Sequence, residues 1–522
     1  MRRVLRPDTA EVRTVAGFVG RVLVVAGLIQ IPAVLLALLL GQHNEASAMA
    51  VGAAVAVLVG RHAAQAAPVD AELRWATGMV TVAMAWLLVP IALGVSIHLT
   101  GATGSFVDAV FDGMSGLTTS GLSLIQDVDH LGSGVQLLRH MTHFAGGQGI
   151  ILVVLTVLTV SGDQVGTLLV SEGRDERIVP NVIRTARLIY LIAAAWAVAG
   201  STALWIALTA TGFTPGRALA HATNLFMAAF DTGGFSMMST SVAYYHSGAV
   251  ELVLAVLMIA GAISFPMHYW LWQRQVGRAV HHLDLRTFVI STGLLTSGLM
   301  IALAAHHVQT STGGLLRKGA FTALSAATGT GFTVVAPQAY LQWGQLAPAM
   351  VVTLMAIGAM SGSTAGGIKT LRLGLLVKSI ARDVRKALAP PSELVVASYH
   401  GRNRVVIDDA QVRGAIVVVI LFLATYVVGA LIGVFHGASL EAAMFESVSA
   451  TAAVGLSAGL AIPSAPLTYK LTLIVQMWLG RLEILAALAL LGWFASIGPR
   501  LPHGRQRRAV HLMGRHRTRM VR

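Results

Sequence analysis

Four short segments of this chain set a glycine among hydroxyl-bearing and small residues: Thr118-Thr119-Ser120-Gly121-Leu122, Thr232-Gly233-Gly234-Phe235, Thr328-Gly329-Thr330-Gly331-Phe332 and Ala452-Ala453-Val454-Gly455-Leu456. Their chemistry is that of main-chain oxygen. Rings of backbone carbonyls replace the hydration shell of an alkali cation, and threonine hydroxyls beside them add further oxygens. Glycine suits such a segment because it adopts backbone angles closed to residues with a Cβ, and because a side chain there would crowd neighbouring copies. Four copies around one axis can line one pore.

The register extends beyond the glycine. Ten residues before it stand Phe111, Phe321 and Phe445 in copies one, three and four, and six before it Ser115, Ser325 and Ser449. One residue after it come Leu122, Phe235, Phe332 and Leu456, then Ser123, Ser236, Thr333 and Ser457. Copy two lacks the upstream Phe and Ser. A pattern shared over this length points to internal duplication, and glycine separations of 113, 97 and 124 residues make the copies unequal. Approximate fourfold symmetry with four chemically distinct segments is the expectation.

The elements that must hold such segments lie in a membrane. The chain is 55% hydrophobic and 11% charged, where a soluble domain carries about 25% charged residues. Apolar runs at 16–40, 47–60, 76–98, 135–160, 186–212, 249–272, 287–305, 343–377, 413–435 and 471–496 predict ten crossings, each needing about 20 residues. The first reads as a retained helix and not as a cleaved signal. With both termini cytoplasmic, 30 of the 37 Lys and Arg fall on the inner side, in the N-terminal tail, 61–74, 174–187, 274–286, 369–413 and beyond 499, as the positive-inside rule requires. Topology accounts for the net charge of +14 without nucleic acid. The tail Arg500–Arg522 reads as an orientation anchor that also suits anionic membrane lipid or a cytosolic partner. The chain has no cysteine, so thiolate metal sites and thiol nucleophiles are excluded.

The apolar stretch before each glycine segment (105–117, 217–230, 314–327, 439–450) is too short to span. Each reads as a half-helix entering from the outer side, with the chain returning through a filter strand. Non-helical backbone at membrane depth must line water or be buried in protein, and half-helices that aim their negative C-terminal ends at a common point favour cations. The fold class expected is an all-α polytopic membrane protein: an N-terminal hairpin (1–70), four units of helix, pore helix, filter and helix (71–172, 173–282, 283–400, 401–498) and a basic tail (499–522).

Other clusters are open to two readings. Gly358, Gly362, Gly366 and Gly367, with Ser361, Ser363, Thr364 and nearby Lys369, interrupt the 343–377 run. They predict either an unwound loop able to close the path or a close-packing helix face at four-residue spacing. The segment is not a phosphate-binding loop, because Ile368 separates the last glycine from Lys369. Arg481 stands inside an apolar run, where a charge must face water or a partner; Glu446 is a candidate partner, while Glu483, two residues away, faces elsewhere on a helix. Asp112, Asp231 and Glu446 either attract cations or brace the segments. His140, His143, His268, His281-His282 and His306-His307 lack metalloenzyme spacing and read as packing or loop residues.

Phe111–Ser123, Gly146-Gly147-Gln148-Gly149-Ile150-Ile151, Gly362-Ser363-Thr364-Ala365-Gly366-Gly367-Ile368-Lys369-Thr370 and Gly480-Arg481-Leu482-Glu483-Ile484 together resemble the Trk/Ktr/HKT superfamily of potassium transporters, in particular its TrkH-like branch. The resemblance covers about 70–497. It implies potassium uptake across the cytoplasmic membrane, with the potassium ion held at the four segments and no organic cofactor. It also implies a flexible intramembrane gate at 358–369, Arg481 projecting into the pore, a homodimer, and cytosolic TrkA-like regulatory subunits that bind nucleotides. In related plant proteins a serine at the first filter glycine goes with sodium transport, so Gly121 looks potassium-like. Ala452-Ala453-Val454-Gly455 departs from the usual Gly-Thr-Val-Gly, which keeps a sodium-permeable relative as an alternative. A membrane-embedded enzyme is a further alternative, for which none of the segments carries converging acid, base or metal residues.

Overall fold

The computed structural model describes residues 8–67, 73–149, 182–309, 311–390, 392–401 and 404–497. Helices Thr9–Leu28, Ile31–Leu39 and His43–Ala64 come first. The 16–40 run is therefore interrupted, at Ile29-Gln30, just ahead of Pro32. The buried Gln30 accepts the Ser96 hydroxyl at 2.5 Å and donates to the Ala26 carbonyl at 3.3 Å, which ties the hairpin to the body. The shorter 47–60 run becomes a 22-residue helix, because small and polar flanks continue it.

One order of elements then recurs four times. A long helix (Trp75–Leu99, Val182–Ala210, Leu283–Ala305, Asp409–Phe435) leads to a short one ending at a glycine segment (Phe106–Thr118, Pro215–Phe230, Phe321–Thr328, Leu440–Thr451). Serine caps start the first and fourth short helices, Ser105 accepting from the Asp108 amide and Ser439 from that of Ala442, while Pro215 opens the second; both devices satisfy or remove orphan N–H groups. The third is preceded by a π-helical turn, Leu315–Ala320. After each segment the chain returns along a second helix: Ser133–Gly147, Gly248–Ala262, Leu346–Ile357 or Leu467–Arg481.

Three of these second helices are not the straight crossings expected. Gly248–Ala262 meets Phe265–Trp272 at 105°, and Leu467–Arg481 meets Leu485–Ile497 at 111°. The second bend is made by Glu483 and Ile484 at left-handed φ of 49° and 66°. In the third unit the chain breaks from Gly358 to Lys369 before Thr370–Leu388. Six described helices are long and apolar enough to cross a membrane, eight if each bent pair is one span. Ile150, Ile151, the remainder of the 135–160 run and the basic tail from 499 lie outside the described residues. Among the described residues the regular structure is helical apart from one small antiparallel hairpin, Ser398–His400 with Arg404–Val406; the glycine segments are irregular, not β-strands.

Small residues set the closest helix contacts. A Cβ built on Gly20 would lie 2.5 Å from the Gly60 carbonyl oxygen, and one on Gly60 would lie 2.7 Å from that of Gly20. Backbones approach this closely only where both positions lack side chains. Gly60→Ile must push Thr9–Leu28 off His43–Ala64, an overpacking cost of about 1–3 kcal/mol. A lowered Tm in detergent is expected, with the ion preference of the purified protein unchanged.

Candidate ion-binding site

The four short helices end in the same hydrogen-bonded cap. The amide two residues before the glycine donates to the carbonyl five before it: Thr119 to Gly116, Thr232 to Ala229, Gly329 to Ala326 and Ala453 to Ala450. The next amide reaches back to the carbonyl six before: Ser120 to Ser115 at 2.9 Å, Gly233 to Ala228 at 2.8 Å, Thr330 to Ser325 and Val454 to Ser449 at 3.0 Å. This paired arrangement is the Schellman cap, whose end residue is left-handed. Thr119, Thr232, Gly329 and Ala453 accordingly have φ of 57°, 49°, 72° and 54°. Only the third copy uses glycine there, so three copies hold a side chain in a region that costs an L-residue roughly 1–2 kcal/mol.

Two residues on, Gly121, Gly234, Gly331 and Gly455 are again left-handed, with φ of 76°, 72°, 83° and 95°. They close a ring. A Cβ on Gly121 would meet the Gly233 carbonyl oxygen at 2.4 Å, on Gly234 that of Thr330 at 2.0 Å, on Gly331 that of Val454 at 1.9 Å, and on Gly455 that of Ser120 at 2.6 Å. Each glycine thus abuts a carbonyl at one register of the next segment, in the cyclic order one, two, three, four, one. Four backbone oxygens stand around one axis, and the negative ends of four short helices lie within a few residues of them.

The hydroxyls are mostly engaged with protein. Thr118 Oγ1 donates to Met114 O at 2.7 Å and pairs with Ser120 Oγ at 2.9 Å; Thr328 Oγ1 donates to Leu324 O and pairs with Thr330 Oγ1 at 2.9 Å. Thr119 Oγ1 donates to the Thr118 carbonyl at 2.7 Å. Their protons are spent locally, which leaves lone pairs as what they offer an ion. Ala452 and Val454 have no such pair to make.

The break in the third unit lies directly against this ring. Gly358, Gly362 and Gly367 have φ of 69°, 72° and 82°, and Lys369 has 77°, so the stretch is an unwound loop; the packing-face reading does not hold. Thr364 Oγ1 lies 3.1 Å from Thr232 Oγ1 and donates to Gly261 O at 3.0 Å. A Cβ on Gly366 would lie 2.3 Å from Ala452 O, and one on Gly329 3.3 Å from Ala365 Cβ. Ser363 donates back to Met360 O at 2.6 Å, and the buried Lys369 ammonium donates to Ala365 O. Asp284, fully buried, clasps both ends of the loop, accepting from the Ser361 amide at 2.8 Å and from the Thr370 hydroxyl.

Arg481 supplies the contact to the first segment. Its guanidinium donates to Thr119 Oγ1 at 3.1 Å, Thr364 O at 2.7 Å and Gly146 O at 2.7 Å, and lies 5.4 Å from the Trp86 ring centre. The alternative pairing with Glu446 is not formed. Glu483 turns instead to Arg372, at the start of the helix that leaves the loop. Arg481, Glu483, Lys369 and Ser363 line one cavity.

Buried acids brace the segments, Asp112 and Glu446 on the limb after the glycine and Asp231 on the end of a return helix. Asp112 accepts Ser123 Oγ at 2.6 Å and is paired with the buried Arg139 at 2.8 Å; Glu446 holds Ser457, Ala458 and Ala461; Asp231 accepts Gln148 Nε2 at 2.5 Å. On the exposed surface Asp129 accepts the Ser239 hydroxyl and amide, which holds its carboxyl below the usual range and ties together the loops that follow the first two glycine segments. His140 bonds Gln136 O and Phe235 O, and His143 stacks on Phe235. Among the described residues no group of three His, Asp or Glu is placed to hold a metal. Asp284 and Arg139 were missed from sequence, although an Arg inside an apolar run was a signal for the latter.

A family model described as TrkH, cation transport protein, matches residues 45–492. An uncharacterized cation transporter of Methanocaldococcus jannaschii is 28% identical over 79% of this chain and 81% of its own length. A Trk system potassium uptake protein TrkH of Halomonas elongata is 28% identical over 92% of this chain and 98% of its own. The crystal structure of the potassium transporter TrkH from Vibrio parahaemolyticus superposes with a TM-score of 0.76 at 25% identity, covering 92% of this chain and 98% of that one.

Two substitutions separate strain from closeness. Ala453→Gly relieves about 1 kcal/mol of left-handed strain and should raise Tm by roughly 1–2 °C in a chain of this size. Gly331→Ala drives a methyl into the Val454 carbonyl and should reduce cation flux by about tenfold or more while the protein still elutes as a folded particle. Wild-type flux in Gly331→Ala would contradict the ring geometry.

Proposed function

Because the chain belongs to the TrkH family of cation transport proteins, we propose that it takes up potassium across the cytoplasmic membrane through the ring of four glycine segments. The family is one of transporters, so the enzyme alternative falls. The observation that carries the potassium reading is the cyclic contact of Gly121, Gly234, Gly331 and Gly455 with the carbonyls of Gly233, Thr330, Val454 and Ser120. A ring of fixed carbonyl dipoles replaces water around a bare alkali ion, and the four converging helix ends repel anions. Relatives carrying a potassium uptake name support the choice of ion.

In this reading Thr118–Gly121, Thr232–Gly234, Thr328–Gly331 and Ala453–Gly455 form the selectivity filter. The loop with Gly358, Gly362, Ser363, Thr364, Gly366, Gly367 and Lys369 is the gate, held shut by Arg481. The loop touches segments two, three and four directly and segment one through Arg481, so one movement of it uncovers the whole ring. Both termini face the cytoplasm, the four units follow the sequence boundaries given above, and the protein works as a homodimer with cytosolic nucleotide-binding subunits of the Trk system. Weak discrimination against sodium is the second reading, favoured by the missing hydroxyl at Ala453.

Purified protein in liposomes should carry potassium and rubidium well ahead of sodium. Gly121→Ser forces a side chain toward the Gly233 carbonyl and should raise the sodium share of the flux; an unchanged share would remove these residues from the filter. Arg481→Ala frees the loop from Thr119 and should increase potassium flux measured without regulatory subunits. Flux equal to wild type would take Arg481 out of the gate.

A further inference from the structure

The four segments are not held in place by the same means. Copies one and three lock their inner halves with side-chain hydroxyl pairs, Thr118 with Ser120 and Thr328 with Thr330. At the same two positions copy four has Ala452 and Val454, which cannot form one. What copy four has instead is the Ser449 hydroxyl, which accepts the Gly455 amide at 3.0 Å, and a larger brace on the far side of its glycine. Glu446, on the short helix Leu440–Thr451 and fully buried, accepts Ser457 Oγ at 2.8 Å, the Ala458 amide at 2.7 Å and the Ala461 amide at 3.0 Å. The Gly459 amide closes the turn onto Ser457 Oγ at 2.9 Å.

In copy one the carboxylate at the equivalent register, Asp112, bonds the Ser123 hydroxyl and the Arg139 guanidinium. Among the described residues no backbone amide of its limb donates to Asp112. Among the described residues no cation pairs with Glu446, and backbone amides take that place. A carboxylate that gathers several donors from one turn fixes that turn strongly, because charge-assisted hydrogen bonds are about twice as strong as neutral ones. The turn it fixes begins two residues after Gly455. Gly455 packs on the Ser120 carbonyl and the Val454 carbonyl packs on Gly331, so a shift of this limb is felt on both sides of the ring.

We propose that Glu446 is the positioning residue that sets the ion preference of the fourth segment, acting through residues 457–461 and never touching the ion. This rests on the potassium-pathway reading and names the part of it that compensates for Ala452 and Val454. Glu446→Ala releases all three donors, Ser457→Ala removes one, and Glu446→Gln keeps an acceptor while losing the charge.

The test is the sodium-to-potassium permeability ratio of purified variants in liposomes, with Tm measured alongside. Glu446→Ala should raise the ratio by roughly threefold or more while potassium still passes, since selectivity is a difference between two ions' energies; Ser457→Ala and Glu446→Gln should fall between it and wild type. The double variant Glu446→Ala, Ser457→Ala should be no less selective than Glu446→Ala alone. A merely structural brace would lower Tm and the flux of both ions together, and an unchanged ratio in folded protein overturns the proposal. Should Glu446→Ala fail to fold, an unchanged ratio in both Ser457→Ala and Glu446→Gln overturns it equally. Wild-type liposomes that carry no potassium would instead sink the pathway reading itself.

Discussion

Bare backbone in the middle of a membrane protein is the constraint on which this structure turns. A polar main-chain group without a partner at that depth costs several kcal/mol, and this chain places four irregular segments there together with a fifth stretch from 358 to 369. Each segment answers the cost in the same way. Two of its amides are returned to the preceding short helix through the Schellman bonds, so the donors are satisfied and the acceptors remain. The carbonyls of Ser120, Gly233, Thr330 and Val454 can then face a neighbour's glycine, and a closed ring follows from four repetitions of one local solution.

The loop after Gly358 solves the same problem with different partners. Its donors go to Asp284, Gly261 and Ala262, and its carbonyls receive Arg481 and Lys369. Two buried cations are thereby made tolerable, because carbonyls that a helix would have consumed are free to accept from them. The cost of a charge at membrane depth and the cost of an unwound backbone offset each other. Such an arrangement is held by a few replaceable bonds instead of a continuous helical ladder, and it is therefore the part of the molecule best suited to move.

The glycine register was legible because it reflects a backbone requirement that each copy must meet. It even explains copy two. The sequence pattern placed a serine six residues before the glycine, and all four copies use that residue's carbonyl, which Ala228 supplies as well as Ser115 does, while copy four also uses the Ser449 hydroxyl. The composition likewise announced a helical membrane fold, while the bends at residues 263–264 and 482–484 were hidden inside continuous apolar runs, since hydropathy reports solvent and not direction. Asp284 was equally hidden. Its partners lie 77 and 86 residues away, and nothing local distinguishes a clasp from an ordinary acid in a first helical turn.

The differences among copies carry as much physics as their likeness. A ring of four identical segments would have one strength of field on every side, whereas here the inner locks, the left-handed residues and the outer braces all vary. Thr119 of the first segment is shared with Arg481, Thr232 of the second with Thr364, and the third and fourth meet Ala365 and Gly366. The loop therefore meets each segment through a different chemical contact: a cation, a hydroxyl, a methyl and a backbone surface. The proposed gate has in such a set an ordered departure, because the hydroxyl and guanidinium contacts are directional and break over a short distance, while the glycine contacts resist only compression. In the proposed gate, the unequal copies give a nearly symmetric ring an asymmetric cover, which is what a single loop from one of four units needs in order to close the whole of it.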